Sequence, residues 1–405
     1  MTYSPGLAKT PIEAVFAPGA SVARLTLTDF RCYTSQRMES GPGPVVLCGP
    51  NGAGKTNVLE ALSFLVPGRG LRSAKLADIS RRDDAAATSS ERPWAVAAKL
   101  ETRSGPVDVG TGRVVQSIDK REKRIVHIDG AAVRSQAVLS EYLSAQWLTP
   151  QMDRLFLEGA SARRRFLDRL VFAADPAHAG RVSAYEHAMR ERARLLRHGQ
   201  PDSGRAADPQ WLDVLEQTMA SKGVAVSAAR LDMAARLDEA AAQAAVVSAF
   251  PGAAISVIGT LEQWLGCGPA LQTEERLKKS LGQSRQADSE NATAPVGPHR
   301  SDMAVRHLGN GQAAEMCSTG EQKALLISLI LANACLQGAA HGSLPLLLLD
   351  EVAAHLDETR RDALFEEILR LGIQAWMTGT DTTLFAPLKG AAQFFGVADA
   401  VITPA

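Results

Sequence analysis

A short apolar run, Val45–Cys48, feeds directly into Gly49-Pro50-Asn51-Gly52-Ala53-Gly54-Lys55-Thr56, and residues 56–65 then carry Val58, Leu62 and Leu65 at helical spacing. Strand, glycine loop and helix in that order constrain the chain to an α/β domain with the loop at a strand tip. The glycines let the backbone fold into a nest of N–H groups around phosphate oxygens, and the helix adds its positive end. Lys55 then reaches the β- and γ-phosphates of a nucleotide, and the Thr56 hydroxyl reaches Mg²⁺. The reading is an ATP site with Mg²⁺, built from Gly49, Pro50, Asn51, Gly52, Ala53, Gly54, Lys55 and Thr56.

Far downstream, Leu346-Leu347-Leu348-Leu349 ends in Asp350-Glu351. An apolar strand that delivers two carboxylates to its tip fits the ligand edge of a parallel sheet. Asp350 is placed at the metal and Glu351 at the attacking water, as general base. A core strand ending in a solvated acidic turn is the alternative. A third segment, Cys317-Ser318-Thr319-Gly320-Glu321-Gln322-Lys323, opens the preceding helix. Ser318 and Gly320 make a second anion-binding terminus, or an ordinary capping box with Glu321 or Gln322.

The rest of the chain falls into four stretches. Residues 1–20 read as a flexible leader with Pro5, Pro11 and Pro18 and no signal-peptide run. Residues 21–148 hold the first part of the α/β domain. Alternation over Val22–Phe30 predicts a half-buried strand, and three antiparallel strands are expected at 94–100, 107–115 and 124–129, turning at Gly105-Pro106 and Asp129-Gly130. Residues 149–291 read as an inserted helical arm, with helices at 161–172 and 176–198, then polar linkers at 198–208 and 282–295. Between the linkers a helix opens at Asp208-Pro209 and runs to about 249, with Gly223 a weak point. Such a helix is too long for a compact core, so it protrudes or forms one arm of a hairpin. Residues 292–405 return to α/β character, with a helix at 320–337, the 346–349 strand, a helix at 358–371 and a strand at 373–377.

Lys plus Arg equals Asp plus Glu at 44 each, so net charge argues for no partner class and nucleic-acid binding needs a local patch. The five cysteines form no Cys-x-x-Cys pair, which disfavours disulfide and zinc frameworks and fits the cytoplasm. The strongest apolar run, ending at Leu349, is too short to cross a bilayer.

Taken together, Gly49–Thr56 resembles Walker A, Leu346–Glu351 resembles Walker B, and Ser318–Gly320 resembles an ABC signature. The signature lies more than 260 residues after Lys55, which resembles the split heads of SMC-type ATPases more than transporter subunits. Four segments are similar to the RecF family of bacterial DNA replication and repair proteins. They are Asp29-Phe30-Arg31-Cys32-Tyr33, the P-loop with Asn57-Val58-Leu59-Glu60-Ala61, Gly159–Asp168 (GASARRRFLD) and Gly297-Pro298-His299-Arg300-Ser301-Asp302. The resemblance implies an ABC-type ATPase head of two lobes with an inserted helical arm, and weak Mg²⁺-dependent ATP hydrolysis. It further implies an ATP-dependent homodimer in which Ser318 and Gly320 meet the other copy's nucleotide, with Asp357 as an acid at the seam. Gln151 falls near Mg²⁺ and the attacking water, where the family carries an acid. Glu321 replaces a signature Gln, and Thr380 or Asp381 stands in for a switch histidine. Implied partners are double-stranded DNA near gaps, single-stranded DNA on which recombinase is loaded, and the mediators RecR and RecO, within the DNA-damage (SOS) response.

Two rivals are a transporter nucleotide-binding subunit and a long-armed chromosome ATPase. An insertion of roughly 140 residues without sustained heptads fits neither. Candidate DNA contacts are Arg163, Arg164, Arg165 and Arg169, and the helix face of Arg190, Arg194 and Arg197; a solvated, charge-balanced surface is the alternative. His299 and Arg300 form either a nucleotide-side or structural pair or a surface turn. Trp94, Trp147 and Trp376 are expected in the core.

Overall fold

The computed structural model describes residues 19–81, 92–115, 122–198, 208–246, 248–291 and 293–405. Residues 1–18 of the leader, residues 82–91 and residues 199–207 of the first polar linker lie outside them. In chain order the elements are β1 (Ser21–Phe30), β2 (Tyr33–Glu39), β3 (Val45–Cys48), α1 (Lys55–Ser63), α2 (Leu76–Ile79), β4 (Trp94–Thr102), β5 (Gly105–Val115), β6 (Glu122–Ile128), β7 (Ala131–Val133) and β8 (Ala145–Leu148). There follow α3 (Ala160–Ala174), α4 (Ala177–His198), α5 (Pro209–Ala244), β9 (Ala253–Ile258), α6 (Thr260–Cys267), α7 (Ala270–Gln283), α8 (Arg285–Asn291) and β10 (Asp302–His307). The chain closes with α9 (Thr319–His341), β11 (Leu346–Leu349), α10 (Glu358–Leu371), β12 (Ala375–Gly379), β13 (Gln393–Ala398) and β14 (Val401–Pro404).

One sheet has the order β14-β13-β3-β12-β11-β8, parallel except for the edge strand β14. Its central strands β3, β12 and β11 are buried on both faces because both faces are covered. Leu346 and Leu348 face α1 and the antiparallel sheet β2-β1-β4-β5-β6-β7, sharing a core with Val58, Leu59, Leu62, Leu25 and Leu27. Leu347 and Leu349 face the opposite way, into a core shared with α9, α10, α3 and the end of α5. A fully buried Leu such as Leu59 or Leu62 contributes about 1.5–3 kcal/mol, so the P-loop helix is fixed from both sides.

The β1 alternation holds: Val22, Leu25, Leu27 and Phe30 are buried and Thr28 is exposed. The Asp129-Gly130 turn also holds, with both residues at positive φ between Ile128 and its partner Ala131. The other turn is Arg103-Ser104, since Thr102 pairs with Gly105 and Pro106 already sits opposite Glu101 in the ladder. The last predicted strand is shifted to 375–379, and strands β2, β7, β8, β9, β10, β13 and β14 have no counterpart in the sequence reading.

Of the two expected forms, helix α5 takes the second: it does not protrude but packs against the preceding helix α4 as one arm of a hairpin. It is 36 residues, about 54 Å, yet buried residues run along it from Leu212 to Ala241. Its first half packs with α4, α6 and α7 (Leu215, Met219, Val224), and its second half enters the core under α9 (Met233, Leu237). It is therefore a strut shared by two cores. Gly223 is no weak point: a Cβ there would press on Tyr185 and Pro298 at 3.2 and 3.3 Å, so the glycine permits close packing. The polar stretch 282–295 is largely helical. Arg192, 2% exposed, binds Asp288 of α8 at 2.6 Å and Glu216 of α5 at 2.9 Å, which draws those polar residues inside.

Helix α9 is long and apolar enough to cross a membrane by length and composition, a stretch longer than the leucine run singled out in the sequence. It is mostly buried between the parallel sheet and the second half of α5.

Candidate nucleotide site

The loop after β3 lies at the carboxyl edge of the parallel sheet, beside the tips of β12 and β11. Gly49 N–H donates to Gly379 O at 3.2 Å, tying the loop to β12. Gly54 opens α1 at φ 114°, and a Cβ there would meet Tyr33 Oη and Cys32 Sγ at 2.7 and 2.8 Å. Conformation and space both demand glycine at this position. Tyr33 Oη also donates to Gly54 O at 3.2 Å. The Asp29–Tyr33 segment thus buttresses the loop, and Arg31 adds a second brace through a bidentate pair to buried Glu60 of α1 at 2.6 and 2.8 Å.

Lys55 is 4% exposed, and its Nζ donates to Gly49 O at 2.7 Å and Pro50 O at 2.8 Å, so the ammonium is held over the nest. Thr56 Oγ1 donates to Asp350 Oδ1 at 2.9 Å. Residues almost 300 apart in sequence are joined there. Thr378, fully buried on β12 between them, donates to the same Asp350 oxygen at 2.8 Å and accepts from Glu351 N–H at 2.9 Å. Glu351 sits at φ 52°, ψ 24°, a left-handed conformation that costs a non-glycine residue and is held here by its neighbours. Thr56 and Asp350 supply two adjacent hard oxygens, the donor chemistry Mg²⁺ takes from protein.

Thr378 has no role in the sequence reading, which ends the strand at Met377 and points instead to Thr380 and Asp381. Both of those are exposed. Asp381 accepts from Thr383 N–H at 2.8 Å, which caps the next turn and holds its carboxyl below the usual range. The signal for Thr378 is a hydroxyl at the end of an otherwise apolar strand beside the P-loop strand.

Gln151 is exposed on the 3₁₀ turn Pro150–Arg154, which leaves β8 next to the Asp350 tip. The same turn is anchored to α9 by Lys323 Nζ and Asp153 Oδ2 at 3.0 Å.

Ser318, Gly320 and Asp357 form a second group. Ser318 caps α9 in a full capping box: its N–H and Oγ both donate to Glu321 Oε2 at 2.8 Å, and Glu321 N–H returns to Oγ at 3.3 Å. Asp357 caps α10, accepting from Arg360 N–H at 2.8 Å. Arg360 joins the two turns, because its guanidinium lies against Gly320 and pairs with Asp357. No hydrogen bond or ion pair among the described residues runs from Ser318, Gly320 or Asp357 to Lys55, Thr56, Asp350 or Glu351.

The remaining motif stretches dock on each other. Arg163 grips Asp302 at 2.8 and 2.7 Å, and Arg164 donates to Ser301 O at 2.7 Å. Asp168 binds Arg230 of α5 through both oxygens at 2.8 Å, and Arg230 reaches Pro298 O at 2.6 Å. Burial pushes the Asp168 carboxyl up, but the His178 and Arg230 hydrogen bonds outweigh it and hold it low. Arg169 lies over the Trp147 ring at 4.8 Å, and burial pulls its pKa down to about 10. Arg163, Arg164 and Arg169 are thus committed inside the fold, which leaves Arg165, Arg190, Arg194 and Arg197 exposed. His299 and Arg300 are a structural pair: His299 bridges Tyr185 Oη and Ala294 O at 2.7 and 3.0 Å, and Arg300 binds the same carbonyl. Trp94 and Trp376 are buried as expected, whereas Trp147 is half-buried under Arg169.

Residues 21–399 match the family model described as RecF/RecN/SMC N terminal domain. The chain is 45% identical over 383 residues to the DNA replication and repair protein RecF of Mesorhizobium japonicum, covering 95% of this chain and 97% of that one. It is 47% identical over 378 residues to the protein of the same name from Allorhizobium ampelinum, covering 93% and 97%. Among solved structures, the recombination mediator protein RecF-ATPrS superposes with a TM-score of 0.81 at 20% identity, over 95% of this chain and 98% of that one. An Smc head domain from Pyrococcus furiosus superposes at 0.51 and 14% identity, over 95% and 96%. The fold is thus that of a RecF and SMC head, and on sequence identity the chain belongs to the RecF family of DNA replication and repair proteins.

Proposed function

We propose that the protein is an ATP-dependent DNA-binding protein of recombinational repair, in which ATP closes a homodimer on duplex DNA and slow hydrolysis reopens it. The observation that carries this reading is the division of the site. Lys55, Thr56, Asp350 and Glu351 are linked at one sheet edge, while Ser318, Gly320 and Asp357 share a separate turn pair with bonds of its own. A phosphate-binding group so divided fits a nucleotide held between two copies.

In this reading Lys55 and the N–H groups of residues 49–56 hold the β- and γ-phosphates. Thr56 and Asp350 hold Mg²⁺, which supplies charge neutralisation at the phosphates. Glu351 accepts the proton of a water whose oxygen bonds to the γ-phosphorus as the bond to ADP breaks, and Gln151 orients that water. Arg165, Arg190, Arg194 and Arg197 offer sequence-tolerant phosphate contacts. The division into an ATPase domain (21–148 and 292–405) and an arm (149–291) is part of the same proposal. So are the partners: duplex DNA near gaps, single-stranded DNA for recombinase loading, and RecR and RecO. The superposed RecF structure is that of a recombination mediator in the RecFOR pathway, which supports the last two.

Sedimentation with a non-hydrolysable ATP analogue tests the sandwich, using wild type, Lys55→Met and Ser318→Arg. Wild type should dimerise and both variants should stay monomeric. Wild type remaining monomeric would refute the model.

A further inference from the structure

Arg360 stands where a cation is electrostatically misplaced. Its Nη1 lies 2.7 Å from where a Cβ on Gly320 would be, over the second residue of α9. A helix start is the positive end, so a guanidinium there is unfavourable unless anions offset it. Two carboxylates do so. Asp357 Oδ2 lies 3.4 Å from Arg360. Glu321, already held low by its bonds to Ser318, is also stabilised as an anion by the His307 and Arg360 charges. Only glycine at 320 leaves the guanidinium this seat.

We propose that Arg360 is the positioning residue of the face that meets the second copy. It braces the Ser318–Gly320 turn against the Asp357 turn, so both are presented to the other copy's nucleotide as one unit. The two turns belong to the starts of different helices, α9 and α10, with β11 and its acids between them in sequence. The shared apolar core places α9 and α10 as bodies, and capping fixes each turn on its own helix. Arg360 adds a direct contact between the two turns themselves. Its cation also sits at the helix end that receives phosphate, so it offsets that incoming charge as the copies approach. The inference rests on the sandwich reading above and adds to it a residue outside the three recognised motifs.

The test uses full-length protein, wild type, Arg360→Ala and Arg360→Lys, with three readouts: analogue binding by the monomer, dimerisation by sedimentation, and thermal midpoint. Arg360→Ala should weaken analogue-dependent dimerisation at least tenfold while monomer binding at the Lys55 site stays within about twofold. Arg360→Lys keeps the charge without the planar seat and should recover only part of the loss. Dimerisation of Arg360→Ala equal to that of a dimerising wild type would overturn the proposal. Equal loss of monomer nucleotide binding would overturn it too, since Arg360 would then be supporting the fold at large. A wild type that never dimerises would remove the sandwich itself and the inference with it.

Discussion

Thr378 offers the sharpest test of how the acids are set. Thr378→Val keeps shape and volume but deletes the hydroxyl that donates to Asp350 and accepts from Glu351 N–H. Asp350 is 7% exposed and would keep one hydroxyl donor, from Thr56. A hydrogen bond to a charged group contributes about 1.5–3 kcal/mol, and a partly buried N–H left without an acceptor costs about 1–3 kcal/mol. Glu351 is held in the left-handed region, so losing that acceptor lets its backbone relax and moves the carboxylate. A displacement near 1 Å at a reacting group costs about 100-fold, or close to 3 kcal/mol of barrier. The turnover number for ATP should therefore fall about 30- to 100-fold. ATP affinity should change by less than about threefold, because the phosphate nest and Lys55 are untouched. Thr378→Ser keeps the hydroxyl and should retain most activity. Steady-state phosphate release with equilibrium nucleotide binding separates the two quantities. A Thr378→Val enzyme with wild-type turnover would refute the positioning argument, as would a serine variant as impaired as the valine one.

Other outcomes follow from the same network. Asp168→Ala strands Arg230, 5% exposed in its side chain, and should cost about 3–5 kcal/mol in denaturant unfolding. Asp168→Leu with Arg230→Met should recover part of that, and a double variant as unstable as the single would show the charges are not the cause. Burial, with the Arg300, Arg164 and Arg230 charges, holds the His299 pKa below its ordinary value against the opposing Ala294 bond. The stability from this depressed pKa is present above the unfolded imidazole pKa of about 6.5, and is lost as pH falls from there toward the folded value. His299→Gln should show a smaller drop in thermal midpoint than wild type between about pH 7.5 and about pH 5.5; equal drops would count against it. Replacing Arg190, Arg194 and Arg197 with Glu should weaken duplex binding for every sequence alike. It should also flatten the salt dependence by about 0.9 for each phosphate no longer neutralised. An unchanged salt slope would move DNA binding elsewhere on the surface.

The nucleotide half of the site was legible because its chemistry is local. A glycine loop between a strand and a helix, and two acids at a strand tip, each state their role within eight residues. What joins them was not legible, since Thr378 contributes one hydroxyl from a third strand and its partners are set by sheet order. Sequence carries no direct record that β12 lies between β3 and β11. The reading of 282–295 as a linker is corrected for a related reason. Polarity at 282–295 suggests an exposed linker, but Arg192, Glu216 and Asp288 cancel one another's charge and go inside together. Runs of arginine invite a reading as DNA contacts, yet Arg163 and Arg164 bind the Ser301-Asp302 end of the Gly297–Asp302 stretch. Those two segments stand far apart in sequence as separate family marks. Their docking brings them side by side: the first lies on α3, the second leads into β10, and Arg230 on the strut helix α5 clamps the seam. Because α5 runs from that seam into the core under α9, whose N-cap is Ser318, a load on the arm would have a packed path to the face that meets a second copy in the proposed dimer. DNA on the arm and ATP between heads would then be coupled through α5, and a helix-breaking substitution such as Ala234→Pro, costing ~3 kcal/mol or more, should uncouple duplex binding from ATP-dependent dimerisation. If duplex DNA changes dimerisation of the folded Ala234→Pro protein just as it changes that of wild type, the path lies elsewhere.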